Sequence, residues 1–235
     1  MKFKKPSRKL ATMVLAVALV IAGAVGGYLL VKNSFGKNGD YSYTYKDLNA
    51  YAMSGTAKGN GISLQKPVEL VAAGSPSAGQ TQAYLSHTLN KDSQQAVTIA
   101  QIFLATVSAG TELQAGYKKN INSAVTDPKN VGHEAVTKPI KDFVTQRLNT
   151  NLSTTFSDAK AFTATNIKAD AWHLTFTATA KDSKNKATVP DISGEVILAI
   201  GKTTFYYIAL DSLSNNWQSN QSVWQDVINS LKLDQ

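Results

Sequence analysis

Between Val97 and Val107 the apolar residues Val97, Ile99, Phe103 and Val107 fall mostly at alternate positions, which predicts a strand with a helix as its rival. Before it, Ile62–Leu64 and Val68–Ala72 form short extended runs around Pro67, and Ala83–Leu89 forms another. The period then lengthens. Leu113, Tyr117, Ile121 and Val125 recur every four residues behind Thr111 and Gln114, whose spacing is that of a capping box. Val136, Ile140, Phe143, Val144 and Leu148 predict a second helix, with Pro139 tolerable in its first turn. Alternation returns in Phe162–Ile167 and in Trp172, Leu174, Phe176 and Ala178. Val196–Ile200 and Thr203–Leu210 follow, joined by Gly201-Lys202 as a two-residue turn with glycine first. Ser222 and Gln225 repeat the capping-box spacing, and Val223, Trp224, Val227, Ile228 and Leu231 line one face of a closing helix.

Strands, two helices, an antiparallel meander and a last helix make an α+β domain, an antiparallel sheet flanked by helices. Two stretches resemble the PsbP/Mog1-like family. Gly61-Ile62-Ser63-Leu64-Gln65-Lys66-Pro67 is similar to that family's early strand ending in proline, and Trp224-x-x-Val227-x-x-Ser230-Leu231 is similar to its closing helix. A tryptophan soon after Pro67 is missing. The resemblance spans residues 57–235 and implies a binding or assembly role more readily than catalysis.

Ahead of this domain the pattern is of another kind. Leu10–Val31 is 22 residues without a charge, about 33 Å as a helix at roughly 1.5 Å per residue, enough for a hydrocarbon core of about 30 Å. Lys2, Lys4, Lys5, Arg8 and Lys9 precede it, and only Lys32 and Lys37 follow closely. This asymmetry predicts a cytoplasmic basic tail over 1–9, one transmembrane helix over 10–31 and an extracytoplasmic remainder. The competing reading is a signal peptide cleaved after Ala22-Gly23-Ala24, which would leave Val25–Val31 as an apolar new terminus. Gly23 and Gly27 form a G-x-x-x-G pair, a candidate contact between two such helices.

From Asn33 to about Gly61 the composition turns to Asn, Gly, Ser, Lys and Tyr, a linker that we bound at 32–56 with the folded domain over 57–235. Tyr41, Tyr43 and Tyr45 alternate within it, so an extended chain carries three phenol rings on one side. They are the candidate binding stripe, for an envelope protein or polymer near the membrane. The alternative is a short strand packed on its own domain.

Charge excludes one class of partner. The net +8 owes five charges to the tail, and the remaining 19 basic and 16 acidic residues leave +3, too nearly balanced for a phosphate-polymer trap. No nucleic acid is expected. With no cysteine the chain has no disulfide frame, thiolate metal site or cysteine nucleophile.

Several fragments imitate catalytic motifs. Gly74–Thr81 matches the phosphate loop except that Gln80 stands where lysine meets the phosphates. Ser63-x-x-Lys66 and Ser157-x-x-Lys160 have the spacing of a serine–lysine pair but lack its K-T-G companion. His87, His133 and His173 are far apart, and no G-x-S-x-G elbow exists. The sequence therefore assigns no catalytic residue, no metal ligand and no cofactor. It predicts a membrane-anchored extracytoplasmic binding or assembly domain, with an anchored envelope hydrolase built from a nonlocal active site as the alternative.

Overall fold

The computed structural model describes residues 53, 55–73, 82–89, 96–113, 115–164, 166–167, 169–182 and 190–234. Residues 10–31, Gly23 and Gly27, the stripe Tyr41, Tyr43 and Tyr45, the loop Gly74–Thr81 and the side chain of His87 lie outside them. Among the described residues no helix is long and apolar enough to cross a membrane.

Among the described residues eleven strands and four helices follow one another: β1 (Gly55–Gly59), β2 (Ile62–Lys66), β3 (Val71–Ala72), β4 (Gln82–Leu89), β5 (Ala96–Ser108), α1 (Ala115–Thr126), α2 (His133–Thr145), β6 (Leu152–Phe156), β7 (Lys160–Phe162), β8 (Asp170–Ala180), β9 (Ile192–Ile200), β10 (Thr204–Leu213), α3 (Ser214–Ser219), α4 (Gln221–Asn229) and β11 (Lys232–Leu233). They form an α+β fold with two antiparallel sheets. The larger runs β3-β4-β5-β10-β9-β8-β6 with β7 also on β8, and the smaller runs β1-β2-β11. β10 is central because Ile208 pairs with both Leu104 of β5 and Ile197 of β9.

The alternation of β5, β8, β9 and β10 sorts their side chains onto two faces, as the period of two requires. One face carries Phe103, Val107, Trp172, Leu174, Val196 and Leu198, and it receives Ile121 and Val125 of α1 and Val136, Ile140 and Phe143 of α2. The indole of Trp172 donates to Asn122 Oδ1 at 2.9 Å, which ties α1 to the sheet. The other face carries Ile102, Leu104, Ile197, Ile208 and Leu210 and receives Leu64, Leu70, Trp224 and Val227. The small sheet and α4 are thus the lid on that side.

Several expectations fail for local reasons. The linker does not extend to Gly61: Gly55–Gly59 is a strand, and Asn60-Gly61 turns the chain with Gly61 at φ 72°, a conformation that suits glycine. Val68–Ala72 is mostly a turn, closed by Leu70 N–H on Pro67 O at 3.1 Å, and only Val71–Ala72 pairs. Pro139 is the seventh residue of α2, well past the first turn, and the buried face of Val136, Ile140, Phe143 and Val144 holds the helix despite the lost donor. α1 begins at Ala115, four residues after Thr111, and Ser222 lies inside α4, so neither spacing is a capping box. The β9–β10 turn has three residues and Gly201 is not at positive φ. Ala109 and Leu113 donate to the carbonyls of Thr203 and Lys202, which fixes this turn against the β5–α1 connection. Phe162 ends β7 and the chain then loops out instead of continuing to Ile167.

Candidate functional site

The two stretches that carried the family resemblance meet. Ser230 follows the last turn of α4, where its hydroxyl donates to Val227 O at 2.7 Å and accepts the Gln65 N–H of β2 at 2.7 Å. β11 then pairs with Ile62 and Ser63. The junction is sewn together further by Asp234 N–H on Gly61 O and by the Tyr206 hydroxyl on the Asp234 carbonyl. Burial raises the pKa of Tyr206, so the phenol stays protonated as a donor.

Around this junction lies an open cleft of about 360 Å³, lined by Thr56, Ser63, Leu64, Gln65, Asn166, Ser230 and Lys232. Strand alternation explains the lining. Ile62 and Leu64 point to the core, which turns Ser63 and Gln65 outward. Asn166 arrives from the loop after β7. The lining offers hydroxyls and amides that both donate and accept, plus one cation at Lys232. It contains no carboxylate, imidazole or aromatic ring, and so presents a hydrogen-bonding surface without an acid–base pair.

A second polar site lies on the lid-side face of β8 and β9, beyond the small sheet. His173 Nδ1 is 2.5 Å from Glu195 Oε1, and the Phe162 ring sits 5.7 Å from the imidazole. A carboxylate that orients a histidine is one half of a nucleophile-activating array. The other half is missing among the described residues, since no hydroxyl is hydrogen-bonded to His173. The serine–lysine imitations dissolve as well. Ser63 and Lys66 point to opposite faces of β2, and the Ser157 hydroxyl is engaged by Thr175 N–H and Asp158 O. His133 Nδ1 meets the Ala124 carbonyl at 2.8 Å and helps fasten α1 to α2. Among the described residues no three His, Asp or Glu side chains cluster as a metal site.

The third polar group is enclosed. Gln101 Nε2 donates to Asp211 Oδ1 at 2.6 Å between β5 and β10, and the Arg147 guanidinium lies 3.6 Å from the centre of the Phe143 ring. Burial pushes the Asp211 carboxyl up to about 7, against the opposing pull of Gln101 and Arg147. Burial likewise draws Arg147 below the usual guanidinium range, yet it remains a cation at neutral pH. With α2 over it, this group is a structural bracket rather than a surface for ligands. Neither it nor the cleft could be picked out from the sequence, because their members come from segments up to 176 residues apart and are ordinary polar types.

No family model matches the chain, and none of the curated proteins does. The structure is similar to PsbP of Synechocystis, with 9% identity over 74% of this chain and 87% of that one at a TM-score of 0.45. It is similar to LpqN of Mycobacterium tuberculosis, a protein involved in cell envelope biogenesis, with 13% identity over 74% and 83% of the chains at 0.40. It is similar to Mog1, with 12% identity over 74% and 90% at 0.39. The likeness to the PsbP/Mog1-like fold is weak, and identities this low bear on fold rather than activity.

Proposed function

We propose that the chain is a single-pass, membrane-anchored extracytoplasmic domain that binds or assembles an envelope protein or polymer and catalyses no reaction. The observation that carries the binding reading is the cleft beside Ser230, whose lining of hydroxyls, amides and one lysine suits a polar, uncharged or weakly anionic surface. Such a site recognises by hydrogen-bond pattern, with Lys232 its one charged side chain. Anchoring is supported by the uncharged span 10–31 behind five positive charges. The linker 32–56, with Tyr41, Tyr43 and Tyr45, adds an aromatic surface between membrane and domain.

Two measurements test the halves of this reading separately. External protease on intact, wall-stripped cells should remove the domain and spare an N-terminal tag, and protection of the domain overturns the topology. Cross-linking capture from intact cells should fall at least tenfold for Gln65→Ala with Lys232→Glu, at an unchanged melting transition. Undiminished capture moves the binding surface off the cleft, to be sought next with Tyr41, Tyr43 and Tyr45 replaced by serine.

A further inference from the structure

We infer that β6 is a pairing edge for a second copy of this chain, joined antiparallel about a two-fold axis through Thr154. Among the described residues β6 forms one margin of the large sheet and pairs with β8 alone. Register decides which backbone groups are free. Lys181 N–H bonds to Asn151 O and Ser157 N–H to Thr175 O, both at 2.9 Å, so residues 151, 153, 155 and 157 aim their backbone groups at β8. Leu152, Thr154 and Phe156 therefore aim theirs outward. Leu152 N–H is taken by Asn149 O. The N–H groups of Thr154 and Phe156 and the carbonyls of Leu152, Thr154 and Phe156 have no partner among the described residues.

An edge strand of this kind is usually blunted by charge, proline or a covering element. Leu152-Ser153-Thr154-Thr155-Phe156 contains no charge, proline or glycine. α1 packs chiefly over β7 and β8 and α2 over β9 and β10, neither of them chiefly over β6. The strand is also self-complementary. With Thr154 opposite Thr154 of the second copy, Leu152 falls opposite Phe156 on the helix-side face and Ser153 opposite Thr155 on the other. In an antiparallel ladder directly opposed residues of the outward set exchange both bonds. Thr154 with its mate gives two, and Phe156 N–H to Leu152 O, made twice, gives two more. The half-buried Phe156, already tilted against Phe176 at 5.8 Å, gains a cover in the same step. A shift by one residue would oppose outward-facing to inward-facing groups, and moving the axis to Thr155 would keep four bonds but set Phe156 opposite Thr154, so the axis at Thr154 is the register that also pairs Leu152 with Phe156. The closed two-fold also uses up both copies' edges and stops at a dimer.

Because the chain has no cysteine, Thr154→Cys introduces a single thiol into the full-length protein. Opposed residues of this pairing class lie about 5.5 Å apart between Cα atoms, within disulfide reach. Mild oxidation in freshly broken cells should convert most of this variant to a homodimer. Thr177→Cys, on β8 and more exposed than Thr154, should stay monomeric, since three strand spacings of about 4.8 Å separate it from its mate. In purified full-length protein Thr154→Lys should weaken self-association at least tenfold while the melting transition is kept. A monomeric Thr154→Cys variant, equal dimerisation of both cysteine variants, or bis-maleimide capture of a different protein at position 154 would each overturn the proposal.

Discussion

The two faces of the large sheet are covered by different means. On the helix side α1 and α2 close over the sheet and enclose an ionisable group, Asp211, with Gln101 and Arg147. On the other side the small sheet and α4 cover only the apolar centre, and the margin of that face keeps His173 and exposed Thr175 and Thr177 in contact with water. A closed face can hold a buried charge because every neighbour is fixed. A half-covered face leaves a seam where its lid meets solvent, and the cleft at Ser63, Gln65, Ser230 and Lys232 is part of that lid's outer surface. A sealed core and an open polar seam thereby lie on different sides of one sheet.

The comparison breaks most sharply where either face is packed tightest. On the helix side, a Cβ on Gly194 would lie 2.3 Å from the Leu210 carbonyl oxygen and 2.7 Å from the Phe176 ring. Gly194→Ala should cost more than about 3 kcal/mol, because the nearest obstacle is backbone. On the lid side, Trp224 is 1% exposed, and Trp224→Ala should cost about 3–5 kcal/mol. Denaturant midpoints check both, and a loss below about 1 kcal/mol for Trp224→Ala would mean that the lid is not packed through α4.

A smaller effect separates the faces by pH. The folded Asp211 holds its proton up to about 7, whereas the unfolded carboxyl releases it near its ordinary value of 3.8. Between these values the folded state binds more protons, so stability should fall as pH rises from about 4 through about 7, with a slope approaching about 1 kcal/mol per pH unit. Asp211→Asn should flatten that slope and keep the Gln101 bond. Thermal melts across the interval give the sign directly, and a rise in stability with pH over it would refute the buried-carboxyl account. The least change is expected at the open margin. Glu195→Gln should lower stability by less than about 1 kcal/mol, since its partner His173 is partly in water.

Sequence patterning revealed the parts of this fold that bury side chains on a regular period. β5, β8, β10 and α4 were legible because Phe103, Trp172, Phe205 or Trp224 anchor an alternation or a helical face. β1, β6, β11 and α3 were not, for they are short and mostly polar. α3 contributes the buried Asn216, held by Asn220 Nδ2 at 2.6 Å, a signal that hydropathy cannot carry. For β1 a local signal exists in Asn60-Gly61, a two-residue hairpin turn, but Ala57-Lys58-Gly59 before it has no apolar repeat. The cleft was illegible for a different reason. Thr56, Gln65, Asn166 and Ser230 acquire meaning only through the register of β2 with β11 and the end of α4.

The pairing of β11 with β2 also sets an order of events during synthesis. Lys232 and Leu233 close on Ser63 and Ile62 across some 170 residues of intervening chain. Until they leave the ribosome, β2 has one neighbour, the Gln65 N–H lacks the hydroxyl that receives it, and the lid stays unsealed over Ile102, Ile208 and Leu210. Contacts so distant in sequence close late, after the loop entropy between them has been overcome. Until β11 is made, the nascent domain therefore has an apolar sheet face uncovered, in a state that a chaperone can hold unfolded, and Lys232 and Leu233 act as the latch that ends that period.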